Sequence, residues 1–228
     1  MSTVALIGPD GAGKTAIAKK LLETCPLQMK YLYMGTSIES SNVALPTSRL
    51  VHLWKVNQHK RKLRHAGETL PQSITLNGME HRVDRRGKLG AVARLVMRVA
   101  EESYRQAVSW TYQLRGYTVL YDRHFLFDVC PSPSRQANRR LTDRIHSWFL
   151  RRIYPKPDLV IFLDAPPDVL YARKQEVSEE YLQSDREALQ EKSEYTKNFV
   201  CVDATKPFDK VLTTVNDLIV RNCTRQPT

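Results

Sequence analysis

The chain has 228 residues, 42% hydrophobic and 26% charged, with 9 Gly, 12 Pro and 4 Cys. That length suits one large domain over residues 1–228, and the composition excludes a disordered tail, a collagen-like chain and a disulfide scaffold. The formal charge of +11 is unevenly spread: 1–48 hold four Lys/Arg against three Asp/Glu, 49–152 hold 21 against eight, and 153–228 hold ten against 13. A basic middle of that kind points to a polyanion, a membrane surface or an anionic substrate. No apolar run approaches a bilayer span, and the N-terminus lacks the basic lead-in of a signal peptide, so a cytoplasmic protein is expected.

Val4–Ile7 reads as a short buried strand, and a helical pattern follows over Ala12–Thr24. Between them runs Gly8-Pro9-Asp10-Gly11-Ala12-Gly13-Lys14-Thr15, the pattern G-x-x-x-x-G-K-T. Average composition yields this pattern by chance on the order of once in a hundred chains of this size. Its place between strand and helix is what a phosphate loop requires, with backbone N–H groups converging on phosphate oxygens at a helix N-terminus. Lys14 would reach the β- and γ-phosphates of ATP, and the Thr15 hydroxyl would coordinate Mg²⁺.

Lys30–Tyr33 is a second strand. Residues 36–88 fit the alternation least: Gly35-Thr36-Ser37, Pro46 and Pro71 break the chain, and Trp54–His65 is a basic helical piece. This stretch reads as a substrate-side insertion within the domain. A helix over Leu89–Arg115 leads to a strand at Thr118–Tyr121, and Asp122-Arg123-His124 follow at its carboxyl end. Ligands of doubly wound sheets bind at such ends. Asp122 would hold the Mg²⁺ shell, and Arg123 would grip an acceptor phosphate in a bidentate way. A helix over Arg139–Tyr154 precedes the strand Leu159–Leu163, and Pro167–Gln175 forms the next helix, carrying Arg173-Lys174. The charged stretch 173–186 reads as a lid whose closure brings Arg173 or Arg186 onto the transferring phosphoryl group. A helix at Arg186–Tyr195, a strand at Phe199–Val202 and a helix at Phe208–Arg221 complete the chain. Apolar strands alternating with helices imply an α/β fold with a parallel, doubly wound sheet. Cys25, Cys130, Cys201 and Cys223 are too scattered for a metal site.

Together, Asp10–Thr15, Asp122–His124 and Pro157–Pro167 with Ala172–Lys174 resemble the thymidylate kinase family of P-loop nucleoside monophosphate kinases. Asp203-Ala204-Thr205 and Phe208–Val211 look like that family's last strand, adenine-side loop and closing helix. The resemblance implies a five-stranded parallel core with a helical lid, and transfer of the ATP γ-phosphate with Mg²⁺. It also implies homodimers through core helices. It places Gly8, Gly11, Ala12, Gly13, Lys14 and Thr15 on the ATP phosphates, Ala204 and Thr205 at the adenine, and Arg173 at the start of the lid. Asp10 would approach the acceptor, and Asp122 and Arg123 would sit at metal and acceptor phosphate. Three features depart from the pattern. Tyr33-Met34-Gly35-Thr36-Ser37 replaces an R-E-P-G segment. Glu101 stands where an acceptor-binding arginine belongs, with Arg98 and Arg105 about a turn to either side. The lid is acidic.

Two acceptor classes therefore stay open, both as small-molecule substrates. A nucleoside monophosphate, dTMP-like, needs charge clamps, for which Arg123, Arg98 and Arg105 are the cations at hand. A hydroxyl on a nucleoside, sugar or other metabolite needs a nearby carboxylate, for which Asp10 and Asp122 stand ready. A third, lower-ranked reading is a nucleotide-dependent nucleic-acid or membrane-surface binder using Trp54–His65 and Arg82–Lys88.

Overall fold

The computed structural model describes residues 2–37, 40–65, 88–132 and 140–224. Five strands form one parallel sheet: β1 (Thr3–Ile7), β2 (Met29–Tyr33), β3 (Thr118–Asp122), β4 (Leu159–Asp164) and β5 (Phe199–Asp203), in the order β2-β3-β1-β4-β5. Each contains the run expected from sequence, extended by one residue at one end. The reason for strand rather than helix is the short, β-branched, two-sided apolar run. Along β1, Val4 and Leu6 enter one core with Ile17, Leu21, Val215 and Ile219, while Ala5 and Ile7 enter the other with Phe125, Phe127 and Leu150. Period-two alternation thus gives the sheet two buried faces.

The described helices are α1 (Lys14–Thr24), α2 (Pro46–His65), α3 (Lys88–Leu114), α4 (Phe125–Asp128), α5 (Leu141–Arg152), α6 (Pro167–Arg173), α7 (Glu179–Glu191) and α8 (Phe208–Thr224). None is long and apolar enough to cross a membrane. Three expectations need correction. Pro46 does not break the chain but opens α2, because proline's fixed φ suits the first helical position, where no N–H partner is needed. The short α4 was not foreseen; the His124 ring caps it by accepting from Leu126 N. The helix expected from Arg186 begins a full two turns earlier, at Glu179. There the Ser178 hydroxyl accepts from Tyr181 N, and Glu179 and Glu180 favour the helix N-terminus. The proposed lid stretch is thus the end of α6, a link over 174–178 and the first half of α7. Arg82, Arg85 and Arg86 of the basic cluster lie outside the described residues.

Strand β1 lies between β3 and β4, and the order reverses there, so the loop leaving β1 faces the crevice at the carboxyl ends of the sheet. That topology assembles the site.

Candidate active site

Gly8 to Gly13 carry the chain from β1 into α1. A Cβ on Gly8 would stand 2.6 Å from the Leu163 carbonyl oxygen, and one on Gly11, at φ +87°, would stand 2.6 Å from that of Leu170. Any side chain at these positions would collide with backbone, so the loop can lie against β4 and α6 only as glycine. The α1 N-terminus opens from Gly13 with no side-chain cap, leaving its first N–H groups for an anion.

Lys14 is 6% exposed, and its Nζ donates to the carbonyl oxygens of Gly8 and Pro9, each at 2.8 Å. Burial, reinforced by the nearby Arg123 charge, pulls its amine down to about 8. One residue on, Thr15 Oγ1 donates to Asp122 Oδ2 at 2.7 Å, and Tyr31 Oη donates to the same oxygen at 2.9 Å. Asp122 is 1% exposed, and its other oxygen, Oδ1, has no hydrogen-bond partner among the described residues. An unpaired, buried carboxylate oxygen beside a hydroxyl is a donor set for a hard divalent cation, so these residues fit Mg²⁺.

Arg123 follows in the left-handed region at φ 67°, unusual for a residue with a Cβ, and its N–H donates to Leu6 O at 3.0 Å. Its Nη2 donates to Asp10 Oδ1, and its Nη1 lies 3.9 Å from Asp128 Oδ1. Burial opposes the guanidinium charge, but Asp128 and Asp10 outweigh it and raise the pKa. For Asp10, burial pushes the carboxyl up, yet Arg123 and Lys14 together hold it below its ordinary value. Asp128 and Asp185 go the other way: burial lifts both, despite Arg123 and Lys14 nearby. Lys192, 6% exposed and donating to Phe127 O at 2.5 Å, adds a cation beside both. Asp128, Asp185 and Lys192 carried no sequence motif; Asp128 comes in at the end of α4, and Asp185 and Lys192 with α7 and the turn after it.

The expected clamps are placed otherwise. Arg105 is 1% exposed: Nε donates to Glu101 Oε1 at 2.8 Å, and Nη1 donates to Gly35 O at 2.8 Å and Tyr33 O at 3.3 Å. Glu101 Oε2 also accepts from Leu45 N at 3.1 Å. Arg105 is therefore a strut fixing the turn after β2 and the approach to α2, a correction to its reading as an open acceptor clamp. Arg98 lies at the surface, 4.0 Å from Asp143 of α5. Arg186 Nε and Nη2 donate to the two Asp164 oxygens at 2.5 and 2.8 Å. That bidentate pair ties α7 to the end of β4. Arg173 ends α6, exposed, and the neighbouring Lys174 is close enough to lower the Asp10 pKa. Beyond β5, Ala204 N donates to Asp164 O at 2.7 Å, and Thr205 turns back on Asp203 Oδ1 through its N–H at 2.9 Å and its hydroxyl at 2.6 Å. His124 is fully buried among Tyr121, Phe127 and Tyr154, and burial drops its ring to about 3, so it stays neutral.

No family model matches the chain. Over 111 residues, 46% of the chain, it is 30% identical to a protein named probable thymidylate kinase from Archaeoglobus fulgidus. That stretch covers 54% of the relative, so the chain spans about half the length of the curated protein it matches. Over that half, the likeness is to a protein named as a probable thymidylate kinase.

Proposed function

We propose that this chain is an ATP-dependent phosphotransferase of the nucleotide-kinase kind. The observation that carries the reading is the junction of Lys14, Thr15 and the half-paired Asp122 at the switch point of a parallel sheet. Backbone N–H groups of Gly11–Thr15 would hold the ATP phosphates, and Ala204 and Thr205 would flank the adenine. Lys14 would leave its carbonyl partners for the γ-phosphate and neutralise charge there. Thr15 and Asp122 would hold Mg²⁺, which would supply positive charge against the phosphates. Asp10 and Arg123 would seat the acceptor, in line with the phosphate.

The likeness to a probable thymidylate kinase supports a nucleoside monophosphate, dTMP-like, as acceptor. The engagement of Arg105 and Arg123 with carboxylates and carbonyls favours a hydroxyl instead. The test is ADP release across nucleotides, nucleosides and sugars. Arg173, exposed at the end of α6, should then act on charge developing in transfer: Arg173→Ala is expected to lower kcat by about 10²-fold or more and to change the KM for ATP much less. An unchanged kcat would remove Arg173 from the mechanism.

We further propose that the working form is a homodimer built on α3. This helix is inside out. Its buried side carries Glu101, Glu102, Arg105, Gln106 and Ser109, whereas Val92, Val96, Trp110 and Leu114 are 53%, 60%, 51% and 84% exposed. With the exposed Ala100, Ser103 and Ala107, they form a stripe at three- and four-residue spacing. The stripe is self-complementary about Ser103. Antiparallel pairing with a second copy sets Val92 against Leu114 and Val96 against Trp110, with small residues at the crossing. In a Cys201→Ser background, Ser103→Cys is expected to give a disulfide-linked dimer under mild oxidation. A wild-type protein sedimenting as a monomer at tens of micromolar would overturn this.

A further inference from the structure

The charges around the acceptor seat narrow the acceptor class. Lys14, Arg123 and Lys192 face Asp10, Asp122, Asp128 and Asp185, so carboxylates outnumber these cations before any nucleotide binds. Lys174, the further cation acting on Asp10, is 2.9 Å from Glu176. Arg123 is the described cation best placed for an acceptor, and it already spans Asp10 and Asp128. A phosphate dianion seated on Arg123 would have to compete with two carboxylates beside it that repel it. The second clamp is absent in its expected position: Glu101 occupies it, and Arg105 is buried against Glu101 and two carbonyl oxygens.

We infer that the acceptor presents a hydroxyl of an uncharged molecule, and not a phosphate, to the γ-phosphorus of ATP. This rests on the reading of the chain as an ATP-dependent phosphotransferase. A neutral acceptor avoids the repulsion, and the groups at hand suit it. Carboxylates accept hydrogen bonds from hydroxyls, and the phenols of Tyr33 and Tyr181, both close enough to feel Arg123 and Asp128, can donate or accept. Asp10 is the proton acceptor. Arg123 takes its Oδ1, Lys14 Nζ lies 3.9 Å from that same oxygen, and its Oδ2 has no hydrogen bond among the described residues. In the step, the acceptor O–H breaks with its proton passing to Asp10, while the acceptor oxygen bonds the γ-phosphorus. The bond from that phosphorus to the bridging oxygen breaks, ADP leaves, and Asp10 returns its proton to water. The products are ADP, a phosphate monoester and one proton.

The test incubates the full-length protein with Mg²⁺ and ATP, against thymidine and free hexoses in one set and dTMP and UMP in the other. Products are read by phosphorus NMR, which separates a new monoester from a new phosphoanhydride. The expected result is a monoester from a neutral compound and no new anhydride, with Asp10→Asn lowering kcat about 10²-fold while the KM for ATP holds. A phosphoanhydride formed from either monophosphate overturns the acceptor inference and leaves the phosphotransferase reading intact. Lys14-dependent ATP binding with no turnover in either set also counts against the acceptor inference. ATP binding that is absent, or indifferent to Lys14→Ala, sinks the phosphotransferase reading itself.

Discussion

Lys14→Ala is expected to lower ATP-dependent phosphotransfer by about 10²–10³-fold in kcat, the scale set by removing one preorganised donor from developing charge. The fold should survive the change. Lys14 contacts its own loop through two carbonyl oxygens and otherwise carries an ammonium into a buried place. The same burial makes a separate, activity-independent prediction. The amine sits at about 8 in the folded chain against 10.5 when exposed. Below pH 8 it is charged in both states, and the folded state bears the full cost of burying the charge. Between pH 8 and 10.5 the folded chain sheds this proton while the unfolded chain keeps it, so stability rises with pH, by up to about 3 kcal/mol. Lys14→Met should flatten that rise and leave the protein more stable than wild type at neutral pH. Denaturant melts at pH 7, 8.5 and 10 read the slope. A variant with the wild-type slope would show that Lys14 is not desolvated, and full activity in Lys14→Ala would dismiss the loop as a phosphate site.

Asp122→Asn should separate metal chemistry from architecture. The amide oxygen can still accept from Thr15 and Tyr31, so the apo protein is expected to melt within about 2–4 °C of wild type, a shift of under 1 kcal/mol. Phosphotransfer, by contrast, is expected to fall about 10²-fold or more, since a neutral amide is a poor Mg²⁺ ligand. The thermal stabilisation by Mg²⁺ with ATP over ATP alone should shrink in parallel. Calorimetric titration of Mg²⁺ into the ATP-bound protein gives a third readout. Wild-type metal dependence in Asp122→Asn would move the metal ligand elsewhere, and a large loss of apo stability would make Asp122 a structural anchor instead. Thr15→Val supplies the matching change on the hydroxyl side, removing one of the two partners of Oδ2 without touching the carboxylate.

Much of this site is local in sequence. Gly8–Thr15 is one continuous loop whose glycines, lysine and threonine must fall at fixed spacing for the backbone to turn into α1. The strands are local too: each is a short apolar run bounded by turn residues, and in β1, β3 and β4 it is buried on both faces. Asp122 was legible as a strand-end carboxylate, and the register of β3 beside β1, with Leu6 opposite Asp122, brings it to Thr15.

Tertiary structure decided which charges neighbour one another. Arg105 and Arg186 read from sequence as cations facing a ligand, but their partners, Glu101 with the carbonyls of Tyr33 and Gly35 in one case and Asp164 in the other, come together only through packing. Asp128 and Asp185 entered the site by the same route, one from the short α4 and one from α7 folding back over the loop. The same division applies to the surplus of positive charge. The sequence by itself located it in residues 49–152, and an anionic acceptor was its first reading. The described fold gathers carboxylates around Arg123 and Lys14 and engages two of that region's cations, Arg105 and Arg123, in internal pairs. Backbone conformation follows from short-range sterics and from the spacing of apolar residues, both written in consecutive positions. The sign of the field at a site is a sum over groups far apart in the chain, and only their folded distances determine it.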